Sequence, residues 1–357
     1  MRELFESTIE RLLADLATPE YVQGCEGGEW PAQLWAAVEE SGFALAAVSE
    51  SLGGAQAGWG DVYVLARAAG RYAAPVPLGE ALLANWLLGK AGLEPRTAAI
   101  SFSANAQLSL NGGVVHGTVR DVPWGRHVES LVAIADAGSE TPSVVLLSVS
   151  SATGQTLSLN VAGEPRDSLH FNKAQVLACA PLPGELSADV LLLGGAMLRS
   201  AQIAGALHTL LDMTSGYATE RSQFGRPIGA FQAIQQQLAV FAEQTAAANV
   251  AAEAAFAESD AALAGLTIAA AKVSCAEAAS AGAGIAHSVH GAIGFTQEYS
   301  LHLFSRRLWA WRSEFGSASV WSQRIGQLVC SSGGGGYWPL ITGHASQSLS
   351  TPAEKPL

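Results

Sequence analysis

Two stretches of this chain concentrate residue types that can hold a charged ligand. The first, residues 221–244, reads RSQFGRPIGAFQAIQQQLAVFAEQ. A helix is expected to end near Glu220 and another to begin after Gly229, with Gly225 and Pro227 breaking the chain between them. Arg221 on such a connection can present a fork of donors to a phosphate close to a helix start. Gln232 can offer its amide to the edge of a ring. The plain alternative is a helix hairpin with a basic turn. The second stretch, residues 287–307, reads HSVHGAIGFTQEYSLHLFSRR. Gly291 suits a left-handed residue after a helix, and Gly294 permits a close backbone approach to a ligand. His287 and His290 share one helical face, but no third ligand is spaced to complete a metal site, so packing or capping is the expectation for both. Arg306 and Arg307 sit among Phe304, Leu308 and Trp309, so at least one needs a buried anionic partner.

The elements that position these stretches fall into three zones. Residues 1–97 read as helical. Leu4, Phe5, Ile9, Leu12, Leu13 and Leu16 make an apolar stripe, and Pro31 stands at the first position of a second helix. Residues 98–182 change to short β-rich runs such as AAISFSA, SLVAIAD and SVVLLSV between turn residues, which suits a small antiparallel barrel or sandwich. Residues 183–330 are helical and Ala-rich, with helices near 187–219, 229–259, 261–290 and 299–312 and a shorter one near 316–330, the pattern of an up-and-down bundle. The Gly-rich tail, 331–357, carries a YWPLITG element expected to dock, with disorder beyond it. The fold class is α+β.

Composition excludes several functions. Of 357 residues 49% are apolar and only 14% charged, against about 25% in an average domain. So little charge implies surface hidden by subunit contacts. A net charge of −12 argues against a nucleic-acid partner. Cys25, Cys179, Cys275 and Cys330 are too scattered for a zinc site or disulfide framework, which points to a reducing, cytoplasmic compartment. The N-terminal stretch lacks the continuous apolar run of a secretory signal. The most apolar run, Val190–Leu198, ends at Arg199 and is too short to span a bilayer.

RSQFGRPIGAFQAIQ and HGAIGFTQEYSLHLFSRR resemble two signatures of the acyl-CoA dehydrogenase family, R-x-x-F-G followed by F-Q-A, and H-G-G-x-G-F/Y-T-x-E followed by R-R or R-D. WAAVEESGFALAAVSESLGGAQAGWGD resembles the family's first domain, and the α–β–α zoning fits nearly the whole chain. The resemblance implies an FAD-dependent oxidoreductase that desaturates an acyl-CoA thioester between Cα and Cβ. A carboxylate takes the α proton while the β hydrogen leaves as hydride to the flavin. By resemblance Arg221, Gln223 and Phe224 touch FAD, with Gln232 on its adenine side. Gly291 and Ala292 line the diphosphate loop, often from a neighbouring subunit, and Ser317 and Ser319 approach the adenosine end. Electron-transferring flavoprotein is the acceptor the family implies.

Three departures matter. The family's base is often a Glu directly before a Gly, some twenty residues after G-F. Here Phe315 precedes Gly316, and Glu314, the candidate base, stands one residue early and is expected to point elsewhere. The other usual position, on the first bundle helix, has no Asp or Glu between Asp189 and Asp212. The T-E-P-x-x-G-S loop is missing from AISFSANAQLSL, where Ser101, Ser103 and Ser109 are possible substitutes, and Ser288 replaces a Gln that contacts FAD phosphate. The short length, LHLFSRR and the WPLITG tail resemble a branch that degrades steroid side chains. Its members are heterotetramers in which one of two unlike subunits lacks the Glu. The resemblance thus implies a partner-dependent subunit of lipid metabolism. A homomeric enzyme using Glu314 and a non-enzymatic FAD- or CoA-binding scaffold stay open beside it.

Overall fold

The computed structural model describes residues 1–342. Five helices come first: α1 (Arg2–Leu16), α2 (Pro19–Gly24), α3 (Ala32–Ser41), α4 (Trp59–Arg71) and α5 (Leu78–Lys90). On α1 only Phe5, Ile9 and Leu13 are buried, and Leu4 of the expected stripe faces solvent. Pro31 is the N-cap of α3 rather than its first residue.

Eight strands follow. β1 (Ile100–Phe102), β4 (Ser130–Ala135), β5 (Ser143–Ser148) and β8 (Ala178–Pro181) make one sheet in that order. β2 (Asn105–Asn111), β3 (Val114–Pro123), β7 (Arg166–Gln175) and β6 (Gly154–Thr156) make the other, in the order β2-β3-β7-β6. The pairing is antiparallel except between β1 and β4, which run parallel. The β2–β3 hairpin between them supplies the long crossover that a parallel pair needs. The strand β4 shows how the layers are joined. Leu131, Ala133 and Ala135 face the second sheet, with Val115, Val119, Leu169 and Phe171. Val132 and Ile134, one residue out of step, join the core shared with the helices. A strand buried on both faces cannot alternate with polar residues, which is why SLVAIA reads as one apolar run.

The bundle comprises α6 (Val190–Glu220), α7 (Gln232–Ala257), α8 (Gly265–His290), α9 (Leu301–Trp311) and α10 (Ala318–Ser331). Its helices lie within a few residues of those expected from periodicity. α6 is long and apolar enough to cross a bilayer, but nearly all of its apolar stretch is buried against other elements. It crosses α4 closely: a Cβ on Gly205 would lie 2.0 Å from the Arg67 carbonyl, and one on Gly70 would lie 1.9 Å from that of Gln202. A short helix, α11 (Tyr337–Ile341), buries Leu340 while Trp338 stays exposed. The tail beyond 342 lies outside the described residues.

Candidate active site

A cleft of about 480 Å³ opens between the β-layers and the bundle. Its walls include Ser103, Asn105, Asp121, Asn160, Arg166 and the turn 313–316 that follows α9. Asp121 stands where the β3–β7 register slips between Val119 and Val122, in the left-handed region at φ +53°. Bulges of this kind re-aim a side chain. Its carboxylate accepts from Asn105 Nδ2 at 2.9 Å.

Glu314 lies on the cleft wall, not on the outer surface. Its Oε1 accepts from Asn160 Nδ2 at 2.8 Å and Arg166 Nε at 2.9 Å. Its Oε2 accepts from Arg199 Nε at 2.8 Å and Arg166 Nη2 at 3.0 Å. The ion pairs continue inward. Arg199 Nη2 donates to Glu80 Oε1 at 2.7 Å, and Arg166 Nη2 to Glu164 Oε2 at 2.8 Å. Arg307 Nε stands 3.3 Å from Glu164 Oε1, and Trp311 Nε1 donates to Glu164 Oε2 at 3.0 Å. Three arginines thus balance three glutamates drawn from six elements or turns, each charge paired as burial requires. Of the pair Arg306 and Arg307, it is Arg307 that has the expected buried anion. Arg306 pairs with Glu26 at 3.0 Å.

Burial alone would raise the pKa of Glu314, but Arg166 and Arg199 outweigh it and hold the carboxyl well below the usual range. A general base works best with a pKa near the working pH. Glu314 is far from that, and four donors already fill its lone pairs. This geometry suits a counter-ion better than a proton acceptor.

Phe315 occupies the next position in the left-handed region, at φ +53°. Its ring stacks on Phe102 at 5.3 Å, with the Arg199 guanidinium also 5.3 Å away. The ring rests on Gly195 of α6, where a Cβ would lie 2.4 Å from it. Of the three candidate hydroxyls, Ser103 lines the cleft and donates to the Arg120 carbonyl at 2.6 Å. Ser101 Oγ is buried without a partner, and Ser109 is exposed, 3.5 Å from the His116 carbonyl.

The other singled-out residues form two groups. Arg221 caps α6 and is exposed, and no ion pair holds it among the described residues. Gln223 ends the first strand of the tight β9–β10 hairpin (Ser222–Gln223 and Arg226–Pro227), which turns on Phe224 and Gly225 at φ +51° and +78°. Phe224 is 91% exposed, and Gln232 is exposed at the start of α7. Ser288, Gly291 and Ala292 are exposed where α8 ends. Gly291 has the expected positive φ, but its ψ of −139° lies outside the left-handed helical region. Tyr217 of α6 stacks on His290 of α8 at 4.5 Å, which brings these helix ends together. The histidines are spent on packing: His287 stacks on Trp309 and meets Ser305 Oγ at 3.0 Å, and His290 meets the Ala286 carbonyl at 2.8 Å.

Ser317 and Ser319 belong to the second group, beside the cleft turn. Ser317 caps α10, accepting from the Val320 amide at 3.4 Å, and Ser319 is exposed in its first turn. The turn is anchored to α8 at Lys272, whereas Gly291 follows His290 at the far end of that helix. Lys272 and His290 are five turns apart, about 27 Å along the axis. One chain therefore holds the two groups at opposite ends of its bundle. Glu80, Glu164, Arg166, Arg199 and Lys272 escaped the sequence reading. The available signal was a charged residue inside an otherwise apolar helical stretch, as with Arg199 and Lys272.

Comparison with known proteins gives this architecture a class. The ChsE4–ChsE5 complex from Mycobacterium tuberculosis contains a chain that superposes with a TM-score of 0.82 at 23% identity, covering 92% of this chain and 97% of that one. A chain of the Tcur3481–Tcur3483 steroid ACAD G363A variant gives the same TM-score at 24% identity, covering 92% and 97%. Residues 188–327 match the family model described as acyl-CoA dehydrogenase, C-terminal domain. The acyl-CoA dehydrogenase IpdE2 of Mycobacterium tuberculosis is 28% identical over 314 residues, 86% of this chain and 90% of that protein. The chain belongs to the acyl-CoA dehydrogenase family of oxidoreductases.

Proposed function

We propose that this chain is one subunit of an FAD-dependent acyl-CoA dehydrogenase assembled from two unlike chains, with the base for α-proton abstraction on the partner. The observation that carries this reading is the pairing of Glu314. The carboxylate nearest the family's base position is already committed to two guanidiniums and an amide. The placing of the candidate FAD contacts toward different ends of α8 supports a site shared between two chains, since a second chain can bring the missing half to each cleft.

The residues fit the cofactor where they can be tested. Arg221 is an exposed cation with no ion pair among the described residues and can take a diphosphate; Gln223, Gln232 and Ser288 present exposed polar groups, and Gly291 and Ala292 are open to solvent. Phe224 supplies an exposed aromatic face. When bound, FAD would accept the β hydrogen. This chain would orient it, keep water from the cleft and hold the wall that faces the thioester. The substrate we propose is a steroid side-chain CoA thioester, by likeness to the steroid ACAD chain, and the electron acceptor is electron-transferring flavoprotein in the cytoplasm. We read 1–97, 98–182 and 183–330 as its domains.

The test is the flavin absorbance of the purified chain, alone and co-expressed with a homologue that carries the Glu. A colourless chain that becomes yellow and active only in the pair supports the reading. A yellow homomer that reduces a dye with an acyl-CoA overturns it and favours Glu314 as base. A pair without FAD would leave a non-enzymatic scaffold.

A further inference from the structure

Lys272 is fully buried about two turns into α8, with no carboxylate bonded to it among the described residues. Its Nζ donates to the Trp311 carbonyl at 3.0 Å and the Arg312 carbonyl at 2.8 Å. These are the carbonyls of the last residue and the C-cap of α9, where carbonyls lack intrahelical partners and carry the negative end of the helix dipole. The next four residues are the cleft turn. Glu314 then enters the arginine pair, and Phe315 enters its seat on Phe102 and Gly195.

We infer that Lys272 is a positioning residue and a proton-sensitive latch: through the end of α9 it sets the 313–316 turn, and with it the cleft wall made by Glu314 and Phe315. The inference rests on reading that cleft as the cofactor and thioester site. Burial pushes the amine down to about 7, Cys275 and Glu314 favour the charged form, and Arg199 opposes it. These are the titratable and charged groups facing it from α8, the turn and α6. On the α7 side the Ala248 carbonyl receives the Cys275 thiol, and the Arg312 guanidinium turns away to Ser280. The one charged side chain of α10, Arg324, pairs with Asp189.

The sign follows from linkage. An opened turn hydrates Lys272 and restores its ordinary affinity for a proton, so the open state binds more protons than the closed one. Raising the pH through 7 therefore closes the latch, and protonation loosens it. Neutral amine still has two N–H donors for the two carbonyls.

Hydrogen exchange on the full chain tests this. Once corrected for intrinsic exchange rates, protection of the 313–316 amides should rise about tenfold between pH 6 and pH 8, tenfold being one pH unit of linkage. In Lys272→Met the same amides should be less protected at pH 8, with no pH dependence, while the α8 amides keep theirs. Lys272→Gln, a neutral donor, serves if the Met variant does not fold, and its profile should also be flat. An identical pH profile in wild type and variant overturns the latch. So does a uniform loss of protection along α8 and α9. FAD titration of the pair with its homologue separates the two readings. Failure of the wild-type pair to bind FAD sinks the cleft reading and leaves the exchange result standing on its own. An unchanged FAD affinity in a variant whose turn is unprotected overturns the claim that the turn shapes the site.

Discussion

The two ends of α8 are finished in opposite ways. At the Lys272 end, nearly every polar group finds its partner inside the chain: the ammonium on two carbonyls, three arginines on three glutamates, the indole of Trp311 on Glu164. At the His290 end, apolar and polar groups face outward. Phe224 is 91% exposed, Phe295 73% and Ile293 41%, and Arg221 has no counter-ion among the described residues. The first end is a closed structural joint and the second is half of a surface. Under the proposed function, that outward-facing end is where FAD and a second chain would make their contacts.

The largest break in this contrast should come from the closed end. Arg166→Ala or Arg199→Ala strands buried carboxylates and should cost about 3–5 kcal/mol in urea unfolding of the isolated chain. Glu314→Gln keeps the shape but removes one negative charge from a balanced set. A loss of about 1–3 kcal/mol is expected, with turnover by the two-chain enzyme kept within a few-fold of wild type. A loss of turnover beyond a hundredfold would make Glu314 the base instead.

Next in size is a pH effect. The folded-state pKa of Lys272 is depressed to about 7, so the unfolded chain binds the extra proton above that pH, and stability rises as pH increases from about 7 toward 9. The slope approaches about 1.4 kcal/mol per pH unit and should vanish in Lys272→Met. Above about 9 the Cys275 thiol, pushed up to about 12 chiefly by burial, works in the opposite direction.

The smallest effect on stability belongs to the open end. Phe224→Ser should change unfolding of the isolated chain by less than about 0.5 kcal/mol. The same change should weaken FAD retention by the co-expressed pair at least tenfold, as flavin absorbance per protein would show. If instead Phe224→Ser destabilises the lone chain strongly, the contrast between the two ends is wrong.

Much of the scaffold was legible in the sequence. Helical periodicity placed α6, α7 and α8 within a few residues, because each is long and rich in helix-forming Ala and Leu. That at least one of Arg306 and Arg307 needs a buried anion followed from their apolar neighbours; which one was not legible. The network around Glu314 was not legible. Its members are contributed by α5, α6, α9, β7 and two turns, so only the folded topology brings them together. Arg199 illustrates the gap. In sequence it merely ends an apolar run, whereas in the fold it is buried and bonded to two glutamates and Gln202. The parallel β1–β4 pairing was equally hidden, since it depends on where a distant hairpin returns.

The seating of Phe315 limits which residues position 315 can take. Placing a carboxylate directly in front of Gly316 takes more than one substitution. A Glu at 315 would place a second anion beside Glu314, vacate the seat on Gly195 and remove the ring beneath the Arg199 guanidinium. Each intermediate along that path carries either an unbalanced buried charge or an unfilled hollow. A Glu at 315 would therefore need several coordinated substitutions around it to be accommodated.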